Sequence, residues 1–233
     1  MTDPAALKRA AALKALDYVK DGMKLGLGTG STAEAFVEVL APRVKGGLKI
    51  VGAATSKRTA ELARSLSIPM ADLDALAPLD LDIDGADETD RAMSLIKGGG
   101  GALFREKIVA ASSKKMIVIA DRSKLVERLG RFPLPIEVET FGRNTTVARI
   151  ITTLDRLGYH RIAPQLRVRD GEPFKTDAGN LIYDCALGAI ADAAALGAAL
   201  SQVTGVVEHG LFVGYTSALI LAGDEGVEVI EGK

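Results

Sequence analysis

The 233-residue chain is 48% hydrophobic and 25% charged, an ordinary balance for a soluble globular protein with room for one large core or two smaller ones. A net charge of −1, an aromatic share of 4% and the lack of Trp argue against nucleic-acid binding and against an anionic membrane surface as partner. One cysteine, Cys185, forms no internal disulfide, no Cys/His spacing suits zinc, and no apolar run reaches the ~18 residues of a membrane span.

In chain order, residues 4–20 space Leu7, Ala11, Leu13, Leu16 and Val19 as one helical face. Asp3, Lys8, Arg9 and Lys14 interrupt any signal-peptide run, so a cytoplasmic protein is expected. Gly22 closes that helix; Lys24–Leu27 reads as a first strand, 29–31 as a turn, and 32–40 as a helix burying Phe36, Val37 and Leu40. A second strand follows at 48–54, a helix at 59–66, a strand at 79–83, a helix at 103–111 and an apolar strand at 116–120. Strands and helices alternate and the strands are rich in Ile, Val and Leu, which predicts a mainly parallel sheet covered on both faces.

Beyond Arg131 the order becomes strand 136–140, helix 145–157, strand 161–168, strand 180–185, helix 189–200, strand 203–212. This is the split βαβ, ferredoxin-like unit. Short strands at 217–221 and 227–230 are expected to rejoin the first sheet. The expected fold class is therefore α/β: a Rossmann-like domain of residues 1–130 plus 215–233, with an inserted ferredoxin-like α+β domain at 131–214. Cys185, beside Ala186 and Leu187, reads as a buried small hydrophobe.

Three segments carry chemistry. Gly28-Thr29-Gly30-Ser31-Thr32-Ala33 matches GxGxxA between strand and helix. The acidic residue of a dinucleotide site is missing from the end of the second strand, where Thr55-Ser56-Lys57-Arg58-Thr59 stands, and the Gly-Lys-Ser/Thr ending of a P-loop is missing as well. What survives is either a helix N-terminus with hydroxyls suited to one phosphate or sugar oxygens, or a tight turn capped by Ser31 or Thr32. Asp80–Gly85 imitates half of an EF-hand loop, but Arg91 occupies the place of its bidentate Glu. Asp84 and Asp87 are thus expected in a βα loop. There they bind sugar hydroxyls and relay a proton, or form a solvated loop with Asp87 capping a helix. Asp80, Asp82, Glu88 and Asp90 read as surface charge.

The densest segment is Lys97-Gly98-Gly99-Gly100-Gly101, followed by Arg105-Glu106-Lys107. A carboxylate in a pocket can move a proton between adjacent carbons, and a cation with backbone N–H donors can hold the enediolate between the two transfers. Glu106, Lys97 and Gly98–Gly101 offer those parts. The bland alternative makes 105–107 ordinary first-turn surface. His160, in a turn, and His209, in a strand, give no Ser-His-Asp arrangement.

Together with Ala120-Asp121-Arg122-Ser123-Lys124, Phe132-Pro133-Leu134-Pro135 and Gly205-Val206-Val207, these segments closely resemble the ribose-5-phosphate isomerase type A family, in order along essentially the whole chain. The resemblance implies interconversion of D-ribose 5-phosphate and D-ribulose 5-phosphate in the non-oxidative pentose phosphate branch, with neither metal nor organic cofactor. It implies Glu106 as the base between C1 and C2, Asp84 as assistant in ring opening and proton movement between O1 and O2, and Asp87 as a hydroxyl ligand. Lys97 with Gly98, Gly99 and Gly100 would stabilise the enediolate. Thr29, Gly30, Ser31, Thr32, Gly85 and Ala86 would line the substrate, and Lys124 with Lys8 would neutralise its phosphate. A homodimer or homotetramer is implied. Phe104 departs from the smaller polar residues common ahead of Arg105-Glu106. The competing readings are a deaminase or lactonase on a similar fold, which would want a histidine near the chemistry, and a non-catalytic sugar-phosphate sensor.

Overall fold

A computed structural model describes residues 3–232, which divide into two compact units. The first comprises the chain up to Ala86, Arg105–Leu125 and the chain from Gly214 onward; the second comprises Asp87–Phe104 and Val126–Val213. The sequence reading places 87–104 and 126–130 in the first domain, whereas the observed division groups them with the second unit.

In the first unit six strands form one sheet in the order Gly226–Glu231, Thr216–Gly223, Met116–Asp121, Leu81–Gly85, Lys24–Leu27, Val51–Ala54. Every pairing is parallel except that of the first two, which close an antiparallel hairpin at the edge. The two C-terminal strands do rejoin this sheet. Helices Pro4–Ala15, Ser31–Lys45 and Lys57–Ser65 supply its cover. Leu25, Leu27, Ile83, Ile117 and Ile220 pack with Phe36, Val37 and Leu40, all at most 1% exposed. Ala11, Ala12 and Ala15 give the first helix a small-residue face in that core. Asp82, expected at the surface, is fully buried: its strand has a parallel neighbour on each side and a sheet covered on both faces leaves no solvated position. Among the described residues no helix is long and apolar enough to cross a membrane.

In the second unit four antiparallel strands lie in the order Val206–His209, Leu134–Val138, Leu181–Cys185, Gln165–Leu166. In chain terms that is fourth, first, third, second. With helices Arg143–Arg156 and Ala193–Ser201 it is the ferredoxin-like arrangement. Ile136, Val138, Ile150, Leu154, Cys185 and Leu200 form its core. Burial, with Asp184 adding repulsion, pushes the Cys185 thiol up to about 12.

Two expected strands are broken. The one expected at 161–168 ends after Leu166, and Val168–Arg169 pairs instead with Glu172–Pro173 around Asp170-Gly171, both at positive φ. The one expected at 203–212 breaks at Gly210. Its distal piece Leu211–Phe212 pairs with Leu95–Ile96, which pairs in turn with Glu88–Thr89. This small sheet explains why 87–104 belongs to the second unit. It also buries Glu88 to 1% exposure, where its two carboxylate oxygens accept the N–H groups of Gly130 and Phe132, each at 2.8 Å. Glu88 is structural glue, not the surface charge expected from the sequence.

Candidate active site

Within the first unit a candidate site lies at a reversal of strand order. From Lys24–Leu27 the chain passes to Val51–Ala54 on one side and then to Leu81–Gly85 on the other. The carboxyl ends of strands flanking such a reversal form a crevice where open α/β sheets bind ligands. Here the first strand runs into Gly28–Gly30, and the strand Leu81–Gly85 ends on Asp84 and Gly85 themselves, so Asp84 is a buried strand residue and not the loop residue expected from the sequence. Gly28 N–H donates to the Ile83 carbonyl at 3.0 Å. Thr29 and Gly85 N–H groups both donate to Asp84 Oδ1, at 3.1 and 2.7 Å. A side chain at position 28 would collide with the Asp84 carboxylate, so glycine is demanded there by close approach. Asp84 itself is fully buried.

The helix Ser31–Lys45 opens on Gly30, with no side-chain cap. Neither Ser31 nor Thr32 caps it, contrary to the tight-turn alternative, and its first-turn donors are left for an anion. Lys8 Nζ donates to Ser31 Oγ at 2.9 Å, which brings a cation to this helix start. Behind the turn stand hydroxyls whose part the sequence reading missed. Thr29 Oγ1 lies 2.6 Å from Thr55 Oγ1. Thr59 Oγ1 donates to the Gly28 carbonyl at 2.9 Å and meets Ser56 Oγ at 2.9 Å. The signal was the hydroxyl-rich stretch closing the second strand.

Glu106 lies in the first turn of Leu103–Ala111, a helix in the crossover between the parallel strands Leu81–Gly85 and Met116–Asp121. Such a helix runs antiparallel to the strands it joins, so its N-terminus stands at their carboxyl ends, the end that carries Asp84 and the Thr29 turn. Glu106 is 3% exposed and Lys107 8%. That removes the reading of these two as ordinary surface; Arg105 is half-buried. Lys124 closes the short turn Arg122–Lys124 directly after Met116–Asp121, again at the carboxyl end, and is half-buried.

Ala86 ends the first segment of the first unit; Asp87, Lys97, Gly98, Gly99 and Gly100 belong to the second. Asp87 leads into a strand and caps no helix. Its N–H donates to the Ile96 carbonyl at 2.9 Å and its Oδ2 accepts the Gly99 N–H at 2.7 Å. Lys97 is 2% exposed. Its N–H donates to the Gly210 carbonyl at 2.8 Å, and its ammonium lies 5.5 Å from the centroid of the Phe212 ring. Gly98 takes φ +106° with Leu103 and Pro135 packed against it, a conformation and a space that only glycine fits. Within the run, the Gly99 N–H is spent on Asp87 and the Gly101 N–H on the Gly98 carbonyl at 3.0 Å. The four-glycine cradle therefore offers fewer donors than its sequence suggests. Elsewhere in this unit His209 is 6% exposed, with Nδ1 accepting the Leu211 N–H and Nε2 near Ser201 Oγ, each at 3.2 Å. Among the described residues no group of three or more His, Cys, Asp or Glu side chains is placed to hold a metal ion.

Residues 51–226 match the family model described as ribose 5-phosphate isomerase A (phosphoriboisomerase A). Over 96% of this chain, the sequence is 54% identical to a ribose-5-phosphate isomerase A from Parvibaculum lavamentivorans, of which it covers 97%. The fold superposes with a TM-score of 0.93 on a ribose 5-phosphate isomerase from Plasmodium falciparum, at 39% identity and covering 98% and 99% of the two chains. A D-ribose-5-phosphate isomerase solved in complex with phospho-erythronic acid gives 0.91 at 36% identity, covering 99% and 100%.

Proposed function

The chain belongs to the ribose 5-phosphate isomerase A family, and from that membership we propose that it interconverts D-ribose 5-phosphate and D-ribulose 5-phosphate by proton transfer through an enediolate. The observation that carries the mechanism is Glu106: a carboxylate 3% exposed, in the first turn of a helix that starts at the sheet end bearing Asp84 and the Thr29 turn.

In the forward direction the Glu106 carboxylate takes the proton from C2 of the open-chain aldose. The electron pair moves toward O1, and the resulting enediolate receives the proton back at C1. Asp84, held by two backbone donors, assists ring opening and carries the proton exchanged between O1 and O2. Lys97 and the glycine loop stabilise the oxyanion, a role in which one well-aimed donor is worth about 3 kcal/mol. Asp87 binds sugar hydroxyls. Thr29, Gly30, Ser31, Thr32, Gly85 and Ala86 line the substrate, and Lys8 and Lys124 meet the phosphate. The reaction conserves oxidation state overall and needs neither metal nor cofactor in this scheme, so chelation with EDTA is expected to leave the rate unchanged. We further propose a cytoplasmic homodimer or homotetramer with no nucleic-acid partner.

The test is Glu106→Gln, which keeps the shape of the side chain and removes its basicity. Turnover is expected to fall by about 10²–10⁴-fold while ribose 5-phosphate still binds, and solvent deuterium incorporation at the substrate carbon should vanish. A variant that isomerises at the wild-type rate refutes the assigned base. Wild-type protein that binds ribose 5-phosphate and never turns it over would point to a sensor instead.

A further inference from the structure

Two carbonyls of the glycine loop accept hydrogen bonds from an arginine in a distant part of the second unit. Arg167 follows the strand Gln165–Leu166, where its N–H donates to the Ile182 carbonyl at 2.8 Å. Its Nη1 donates to the Gly98 carbonyl at 2.6 Å and, at a longer 3.3 Å, to the Gly99 carbonyl. Its Nε and Nη2 form a two-pronged pair with the two oxygens of Asp184, the Nε bond at 2.9 Å. The Arg167 side chain is 13% exposed and that of Asp184 24%, so the pair is largely withdrawn from solvent screening.

A trans peptide sets the direction of each donor once its carbonyl is fixed, because C=O and the following N–H point opposite ways across one plane. Holding the Gly98 carbonyl aims the Gly99 N–H away from the guanidinium, and it meets Asp87 Oδ2 at 2.7 Å on that far side. Holding the Gly99 carbonyl likewise turns the Gly100 N–H away from Arg167, and no described residue accepts it. A cation on the carbonyl side also polarises each peptide and makes its N–H a stronger donor.

We propose that Arg167 is a positioning residue for the isomerisation: together with Asp184 it fixes the 98–100 peptides so that the Gly100 N–H faces the developing oxyanion of the substrate and Asp87 stays seated beside it. The inference rests on the isomerase reading above. It adds two residues that touch no substrate yet set the geometry of the donors that do. Lysine cannot replace Arg167, because one ammonium cannot span two carbonyls and a carboxylate.

The experiment compares two ligands by calorimetry on the full-length protein. Phospho-erythronate carries a carboxylate where the enediolate oxygens develop, whereas ribitol 5-phosphate carries only hydroxyls. In Arg167→Met, affinity for phospho-erythronate is expected to fall at least tenfold and that for ribitol 5-phosphate less than twofold. The kcat should fall thirtyfold or more with KM within threefold, and Arg167→Lys should not restore it. Equal losses for both ligands, or no loss, in a folded variant overturn the proposal. If Arg167→Met does not fold because Asp184 is left uncompensated, the double variant Arg167→Met/Asp184→Leu removes both charges and is held to the same criterion. Collapse of both variants would show a purely structural pair and overturn the assignment too. Wild-type turnover of ribose 5-phosphate, measured alongside, separates failure of this inference from failure of the isomerase reading.

Discussion

Replacing Gly28 by alanine tests how the strand-order reversal holds its carboxylate. A Cβ at position 28 would lie 2.6 Å from Asp84 Cβ and closer still to its carboxyl carbon and Oδ1, against an ordinary contact of 3.4 Å or more. The backbone cannot yield cheaply, since Gly28 N–H is bonded to Ile83 and the adjoining residues Leu27 and Ile83 are in parallel register. The Asp84 side chain must therefore swing away and surrender the Thr29 and Gly85 N–H donors. Bonds to a charged acceptor contribute about 1.5–3 kcal/mol each, which sets a ceiling of about 6 kcal/mol; partial rebonding leaves an expected cost of about 2–4 kcal/mol in urea denaturation. Because the displaced group is the proposed O1/O2 proton carrier, kcat should fall by about 10²-fold or more. The decisive measurement is a double-mutant cycle with Asp84→Gly, which deletes the three atoms nearest the new Cβ. In that background Gly28→Ala should cost below about 1 kcal/mol. Equal costs in the two backgrounds would refute the steric argument.

Glu88→Ala should destabilise the second unit by about 2–5 kcal/mol, because it leaves the buried Gly130 N–H and the part-buried Phe132 N–H without their acceptor; a shift in the urea midpoint worth under about 1 kcal/mol would contradict that. Cys185, with its thiol pushed up to about 12, should react with iodoacetamide at mildly alkaline pH at least about 100-fold more slowly in native than in unfolded protein, where thiols titrate near ~8.5. Its folded value lies above the unfolded one, so its contribution to stability is intact below about pH 8.5 and is lost progressively as pH rises toward 12, by about 1.4 kcal/mol per unit. Tyr18, also pushed up to about 12 by burial and its bond to Glu231, loses stability over about pH 10–12. Cys185→Ala, compared with wild type across the alkaline range, isolates the thiol, and identical alkaline profiles would contradict its assigned value.

How much of this was legible in the sequence depended on whether a residue acts through its neighbours in the chain. The strand Lys24–Leu27 and the helix Leu103–Ala111 were read with their observed bounds, because apolar spacing and flanking glycines are local signals. Strand 203–212 was read as continuous because its apolar character is; the break at Gly210 comes from pairing with Leu95–Ile96, a contact more than a hundred residues away in sequence. The same long-range pairing hid the place of 87–104 and the burial of Glu88. Arg167 and Asp184 raised no signal at all. An arginine between two short strands looks like solvated charge until the fold brings an acid and two glycine carbonyls to its guanidinium.

The two kinds of residue also divide the chemistry. Those that motif reading found, Asp84, Lys97 and Glu106, are groups whose identity the proposed reaction would need. Those it missed, Thr55, Thr59 and Arg167, act on carbonyls or hydroxyls of that backbone: Thr59 Oγ1 holds the Gly28 carbonyl and Arg167 the Gly98 carbonyl. Each glycine turn is free to adopt many conformations before folding and carries no side chain to restrict it. Its native shape must then be imposed from outside, through the only groups it exposes. A glycine-rich site thus requires partners for its carbonyls as much as for its donors, and those partners lie wherever the fold can deliver a side chain. On the proposed assignment, removing Thr59 Oγ1 or the Arg167 guanidinium should loosen a loop without touching a reacting atom, and the ligand-selective readout would separate such residues from the proposed acid–base groups.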